Sequence, residues 1–234
     1  MIWHVPRMWE GGECWIIGGG PSMPRQFGVP EDVILKVRSG LLPPSTYSSY
    51  LTPIHKKHVI GINSAFLIGD WIDMVFFGDK RWFFDYRNRL AEFPGLKVSC
   101  HSHLGSDKYR SEHIKYLPRN KRRGISDNAR SVSWNANSGA AAISVAVWAG
   151  AVRIILLGFD MKLDDSGKQH WHGLYKNPKG TKPRSPKNLP FDRHLVGFPI
   201  IAKEAQKRKV EILNACPDSA IECFKKVTVK ELLK

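Results

Sequence analysis

The sequence is poor in acids, in paired cysteines and in long apolar runs, and each shortage removes a class of function. Asp and Glu number 21 against 36 Lys and Arg, a formal charge of +15, so the expected partner is acidic: nucleotide phosphates, a phosphorylated glycan, nucleic acid or an anionic surface. The 4 cysteines, Cys14, Cys100, Cys216 and Cys223, show no Cys-x-x-Cys spacing. That argues for reduced thiols and a cytoplasmic protein rather than a disulfide framework. The longest apolar stretch, Ala140 to Val152, is too short to span a bilayer, and Met1 to Arg7 lacks the apolar centre of a signal peptide. Two nucleotide signatures are also missing. Met23 stands where the third glycine of Gly-x-Gly-x-x-Gly belongs and Asn63 where an acid would hold a dinucleotide's ribose, while no Gly-Lys-Ser/Thr follows the glycines. An NAD-dependent enzyme and a P-loop enzyme are both disfavoured.

What is present begins with Cys14-Trp15-Ile16-Ile17 running into Gly18-Gly19-Gly20-Pro21-Ser22. An apolar strand ending in glycines lets the backbone approach a diphosphate, Pro21 suits a first helical position, and Ser22 adds a hydroxyl, so a phosphate-cradling turn is expected here. Further apolar runs, His58 to Ile62, Met74 to Phe77, Leu96 to Cys100, Val152 to Leu157 and Val210 to Leu213, alternate with helical patterns over Arg81–Glu92, Gly139–Ala149 and His194–Lys209. This alternation predicts an α/β fold, a doubly wound and mostly parallel Rossmann-like sheet, in one domain spanning 1–234. Two stretches read as insertions: 39–53, with three prolines, and a basic lid over 164–190. A second basic run, Arg119 to Arg123, reads as a loop.

In such a sheet ligands lie beyond the carboxyl ends of the strands. The residues there are polar: Asn63 and Ser64, Asp79, Gly158 with Asp160, and Asn214, to which Asn137, Ser138 and Gly139 add a helix start. These asparagines and serines can read a ribose or base, or serve only as caps and turns. His101 with His103, and His170 with His172, have a spacing that could begin a metal site, but no cysteine pair completes either. Asp79 and Asp160 could hold Mg²⁺ on a diphosphate. Trp134 and Trp171 lie beside these polar residues and could stack on a base or sugar.

The strand followed by Gly18-Gly19-Gly20-Pro21-Ser22, the Gly61-Ile62-Asn63-Ser64 block, Asn137-Ser138-Gly139 before an apolar helix, Leu157-Gly158-Phe159-Asp160 and the late Asn214-Ala215-Cys216-Pro217 together resemble the family 42 sialyltransferases. They resemble equally the related 6-hydroxymethylpterin diphosphokinase-like domain, which occurs also in small phage-encoded proteins. The resemblance implies a variant glycosyltransferase-A fold that binds an activated nucleotide, such as a CMP-sugar, at the glycine turn, Asn63 and Ser138. It implies a metal-free transfer to a hydroxyl acceptor, with His194 as general base; failing His194, the base would be sought at Asp160, His170 or His172. The family's tyrosine after Gly-x-Asp is replaced around Met161-Lys162, so Lys162, Tyr175 or Arg184 would stabilise the leaving phosphate. The alternatives are a pterin-type diphosphokinase using ATP and Mg²⁺, and a non-catalytic phage accessory or nucleic-acid-binding protein.

Overall fold

A computed structural model describes residues 2–106, 112–175 and 189–234. Its centre is an eight-stranded parallel sheet in the order β10-β9-β8-β1-β2-β3-β4-β5. The strands are β1 (Glu13–Ile17), β2 (His58–Ile62), β3 (Met74–Phe77), β4 (Leu96–Ser99), β5 (Lys115–Tyr116), β8 (Arg153–Leu157), β9 (Glu211–Asn214) and β10 (Lys225–Lys226). A separate parallel pair joins β6 (Arg119–Asn120) to β7 (Val132–Ser133). The six strands expected from apolar runs all form, within a residue of the expected ends. Short runs that are buried on both faces leave no polar side, which is why they were legible.

The chain builds outward from β1 to β5, then returns to place β8 against the other side of β1, with Ile17 beside both Gly61 and Leu157. This reversal is the topological switch point, where a crevice opens beyond the strand ends. Alternate residues of each strand feed opposite cores, as the two-residue period requires. Cys14, Ile16, Ile60 and Leu156 pack beneath helix α4 (Ser138–Trp148) and helix α6 (Phe198–Lys207). Trp15, Ile17, Val59 and Leu157 pack against α2 (Glu31–Ser39) and α3 (Lys80–Glu92). Gly139 to Ala146 of α4 are all buried, and their small side chains let the helix lie close to the sheet.

Three expectations need correction. The stretch 39–53, read as an insertion among loops, has structure of its own: 3₁₀ turns over Pro44–Ile54 bury Tyr47, Leu51 and Ile54 completely. The helix expected over His194–Lys209 is two, α5 (Phe191–Leu195) and α6, divided at Val196-Gly197 because Pro199 has no N–H to continue a helix. Gly197 also packs on Asn135, whose Cβ a side chain there would meet at 2.7 Å. Finally, Arg119 to Arg123 is not simply a solvated loop. Arg119 opens β6, and Arg122 pairs with Glu204 and Asp127.

Candidate active site

A cavity of about 580 Å³ lies over the carboxyl ends of β8, β1, β2, β3 and β4, within the range of small-molecule sites. Gly18, Gly19, Gly20, Asn63, Asp79, Asn137, Ser138, Gly139, Gly158, Asp160, Lys162, Tyr175 and His194 all line it. Residues remote in sequence are thus brought together by the switch point. Pro21, Ser22, Ser64 and Asn214 are not in its lining. Arg184 and the basic run Lys176 to Lys187 lie outside the described residues.

The glycine turn differs from the expected cradle. The helix after it, α1 (Met23–Gln26), is a single turn. Three amides are spent within the protein: Gly18 N–H donates to Leu157 O at 2.7 Å, Gly20 N–H to Gly158 O at 2.8 Å, and Ser22 N–H to Asp160 Oδ1 at 3.1 Å. Each glycine has a packing reason. A Cβ would come within 2.6 Å of Gly158 O at Gly18, within 2.9 Å of His170 Nδ1 at Gly19, and onto Asp160 Oδ2 at Gly20. Asp160, placed among catalytic candidates, therefore braces the turn from below. Burial pushes its carboxyl above the ordinary range, as expected for a charge leaving water.

The polar residues divide by what they already bind. Asn137 caps α4, its Oδ1 accepting from Gly139 N–H at 2.8 Å and Ala140 N–H at 3.2 Å. Asp79 caps α3 through Trp82 N–H at 2.9 Å. Asn63 has positive φ (50°), and its buried Oδ1 accepts no hydrogen bond from a described residue. Leaving such an acceptor unpaired costs about 1–3 kcal/mol; Asn214 is also unpaired among the described residues but lies outside the lining, so Asn63 is the cavity asparagine left for a ligand. Ser64 lies beneath, holding Tyr175 Oη at 3.2 Å and Trp82 Nε1 at 3.1 Å. Tyr175 is 42% exposed overall, but its hydroxyl is the end drawn inward. Asn214 is fully buried at the end of β9, and the block after it serves the fold: Cys216 Sγ accepts from Phe159 N–H at 3.2 Å and Ser219 Oγ donates to Phe159 O at 2.6 Å.

The start of the expected lid is packed down. Trp171 is fully buried, donating from Nε1 to Gly18 O at 2.9 Å and from its amide to Gly19 O at 3.0 Å. Asp164 pairs with Arg38 at 2.8 Å. Trp171 is thus an anchor under the glycine turn, not a stacking surface for a ligand. The cavity also holds residues the sequence reading had not named as site residues. Arg119 reaches in from β6, its guanidinium 3.6 Å from the centre of the Trp134 ring. Lys80, Arg81 and Arg193 line the wall as well, and His101 and His170, one from each histidine pair, join them. Only the placing of a short strand reveals Arg119, because two-residue strands carry no periodicity.

The two histidine pairs do not gather a metal. His170 and His172 stack with ring centres 5.2 Å apart, and no group of three metal-ligating side chains occurs among the described residues. Asp79 and Asp160, the pair expected to hold Mg²⁺ in a diphosphokinase, each have one oxygen engaged in backbone capping or bracing. Burial pushes His170 down to about 4, and pushes His172 well below its ordinary value, with the His170 imidazole adding to the second. The unfolded chain therefore takes up protons from about pH 6.5 downward that the folded chain refuses. Stability should be full above pH 6.5 and fall as the pH drops toward 4. Asp160, with its raised value, acts in the opposite direction at the acidic end. Urea midpoints at pH 7.5 and pH 5 should differ in the wild type and differ less in His172→Phe; an unchanged difference would show that these rings do not set the slope.

Scanned against protein-family models the sequence matches none, and no curated protein matches it. Solved structures do match. The MAf glycosyltransferase from Magnetospirillum magneticum AMB-1 superposes with a TM-score of 0.57 at 12% identity, over 97% of this chain and 35% of that one. The fold matches a glycosyltransferase. This chain spans about a third of that protein's length. The sialyltransferase CstII from Campylobacter jejuni is also similar, over 94% of this chain and 86% of its own at 13% identity with cytidine-5'-monophosphate (TM-score 0.43), and over 93% and 86% at 12% identity with CMP-3FNeuAc (TM-score 0.46). At these identities the likeness is one of fold. Among the described residues no helix is long and apolar enough to cross a membrane.

Proposed function

We propose that the chain is a nucleotide-dependent transferase of the glycosyltransferase kind, moving a glycosyl group from a CMP-sugar type of donor to a hydroxyl acceptor. The observation that carries this reading is the shared cavity: the glycine turn, the unsatisfied Asn63 Oδ1 and His194 all border one space at the switch point. In it, Asn63 accepts a hydrogen bond from the nucleotide's base or ribose, while the turn sets the depth to which the nucleotide enters. His194 takes the proton from the acceptor hydroxyl as that oxygen bonds the anomeric carbon. The nucleotide phosphate leaves with the electron pair of the broken bond, and Lys162 or the Tyr175 hydroxyl meets its charge. His170 is a poorer base, because its Nδ1 faces the Gly19 carbonyl at 3.3 Å and its titration near 4 gives little drive to take a proton. The reading requires no metal.

The first test is binding. Titration with CMP, UDP, ADP and GDP should give selective stabilisation by CMP. Asn63→Gly, which keeps the positive φ and removes only the amide, should weaken CMP at least tenfold, about 1.4 kcal/mol. Binding of no mononucleotide, together with steep salt-dependent binding of a nucleic acid, would replace the enzyme by a nucleic-acid-binding protein.

A further inference from the structure

The cavity is wider than the switch point. It continues from β8 past β4, four strand spacings of roughly 4.8 Å, or about 19 Å. Its two ends differ in character. Near β8, β1 and β2 lie glycines, Asn63 and Asp160, whereas past β3 and β4 the wall is cationic, with Lys80, Arg81 and Arg119 beside His101.

Ion pairing within the protein accounts for these cations only in part. Lys80 and Arg81 occupy the first turn of α3, which contains no acid, although Arg81 reaches Asp85 one turn on at 3.8 Å. A positive charge there opposes the helix dipole at a cost of about 0.3–1 kcal/mol. Several other arginines have carboxylate partners: Arg38 with Asp164, Arg87 with Glu112, Arg153 with Glu13 and Glu211. Arg119 has no carboxylate partner among the described residues. It is held by other means, with Nη2 donating to Gly78 O, Nε 3.4 Å from Cys100 Sγ, and the plane stacked on Trp134. Gly78 packs against that same indole so closely that a Cβ would sit 2.5 Å from it. The guanidinium is thus fixed in orientation while Nη1 has no hydrogen-bond partner among the described residues, and a planar fork held in this way suits a carboxylate or phosphate. Asp79, the acid at this end, spends Oδ1 on capping. Burial and the nearby charge of Arg119 push His101 below its ordinary value.

We propose that the end of the cavity past β3 and β4 is an acceptor subsite selecting a sugar that bears a carboxylate or a phosphate, with Arg119 binding that anion and Lys80 and Arg81 adding charge around it. This rests on the nucleotide-dependent transfer proposed above and names its acceptor class. The anion would orient the acceptor so that its hydroxyl faces His194.

The test is calorimetric titration of CMP-saturated protein with methyl galactoside, with methyl galacturonide and with galactose 6-phosphate. One or both charged sugars should bind at least tenfold more tightly than the neutral one, and the two arms separate carboxylate from phosphate recognition. Arg119→Gln should abolish that preference while CMP affinity stays as in the wild type. Should Arg119→Gln lose the fold, the double variant Lys80→Gln, Arg81→Gln, at two exposed positions, should still cut the preference severalfold. Equal affinity for charged and neutral sugars, or no sugar binding, would overturn the subsite while CMP binding upholds the transferase. Displacement of the charged sugar by CMP would overturn it too, assigning these cations to the nucleotide's phosphate. Charged-sugar binding without any CMP binding would instead sink the transferase reading and leave an anion site.

Discussion

His194→Ala is expected to lower turnover by roughly 10² to 10⁴-fold while nucleotide affinity stays close to that of the wild type. His194 lines the cavity from α5. As the proposed base it acts on the acceptor hydroxyl rather than on the nucleotide, so its removal should appear in kcat and not in nucleotide binding. The measurement is a steady-state comparison with a CMP-sugar donor, paired with calorimetry of CMP alone. An alanine variant with wild-type kcat would exclude His194 as the base.

Gly20→Ala should act on the fold before it acts on any ligand. Its new Cβ would fall on Asp160 Oδ2 and within 2.6 Å of Gly158 O, and the second of these is backbone that cannot turn aside. Overpacking of this kind costs about 1–3 kcal/mol, which in a chain of this size lowers Tm by at least about 2 °C. The pair also offers a coupling test. In an Asp160→Gly background the same alanine should cost less, and the difference between the two costs measures how closely the carboxylate packs against the turn. If Gly20→Ala melted like the wild type, the close packing of this turn would be refuted, and bulk at Gly20 could again be read as an obstacle to ligand.

The strands were legible because each apolar run is short and buried on both faces, and the site was partly legible because chemistry collects where such strands end. Asn137, Ser138 and Gly139 could be read as a helix start from residue type alone, and Asn137 does cap α4. Other features depend on contacts between distant segments and leave no local trace. Nothing near Trp171 in the sequence announces that its indole will meet Gly18, 153 residues away. Asn214 carries the same residue type as Asn63, yet one is enclosed at the end of β9 and the other borders the cavity. Arg119 belongs to a basic run that reads as solvated surface, and only the β6–β7 pairing turns it inward. The prolines of 39–53 suggested an exposed loop because proline disfavours regular hydrogen bonding, but 3₁₀ turns accommodate it while Tyr47, Leu51 and Ile54 fill the core.

The place of β1 bears on how the chain is made. It leaves the ribosome before the other strands of its sheet and is among the innermost in the finished sheet, yet its partner β8 begins only at Arg153. Until β8 has been made, one side of β1 therefore presents unpaired amides and carbonyls next to Trp15 and Ile17, a surface open to pairing with another nascent copy. A product cut short before β8 would keep that edge permanently, so early termination should yield aggregates rather than a smaller folded protein.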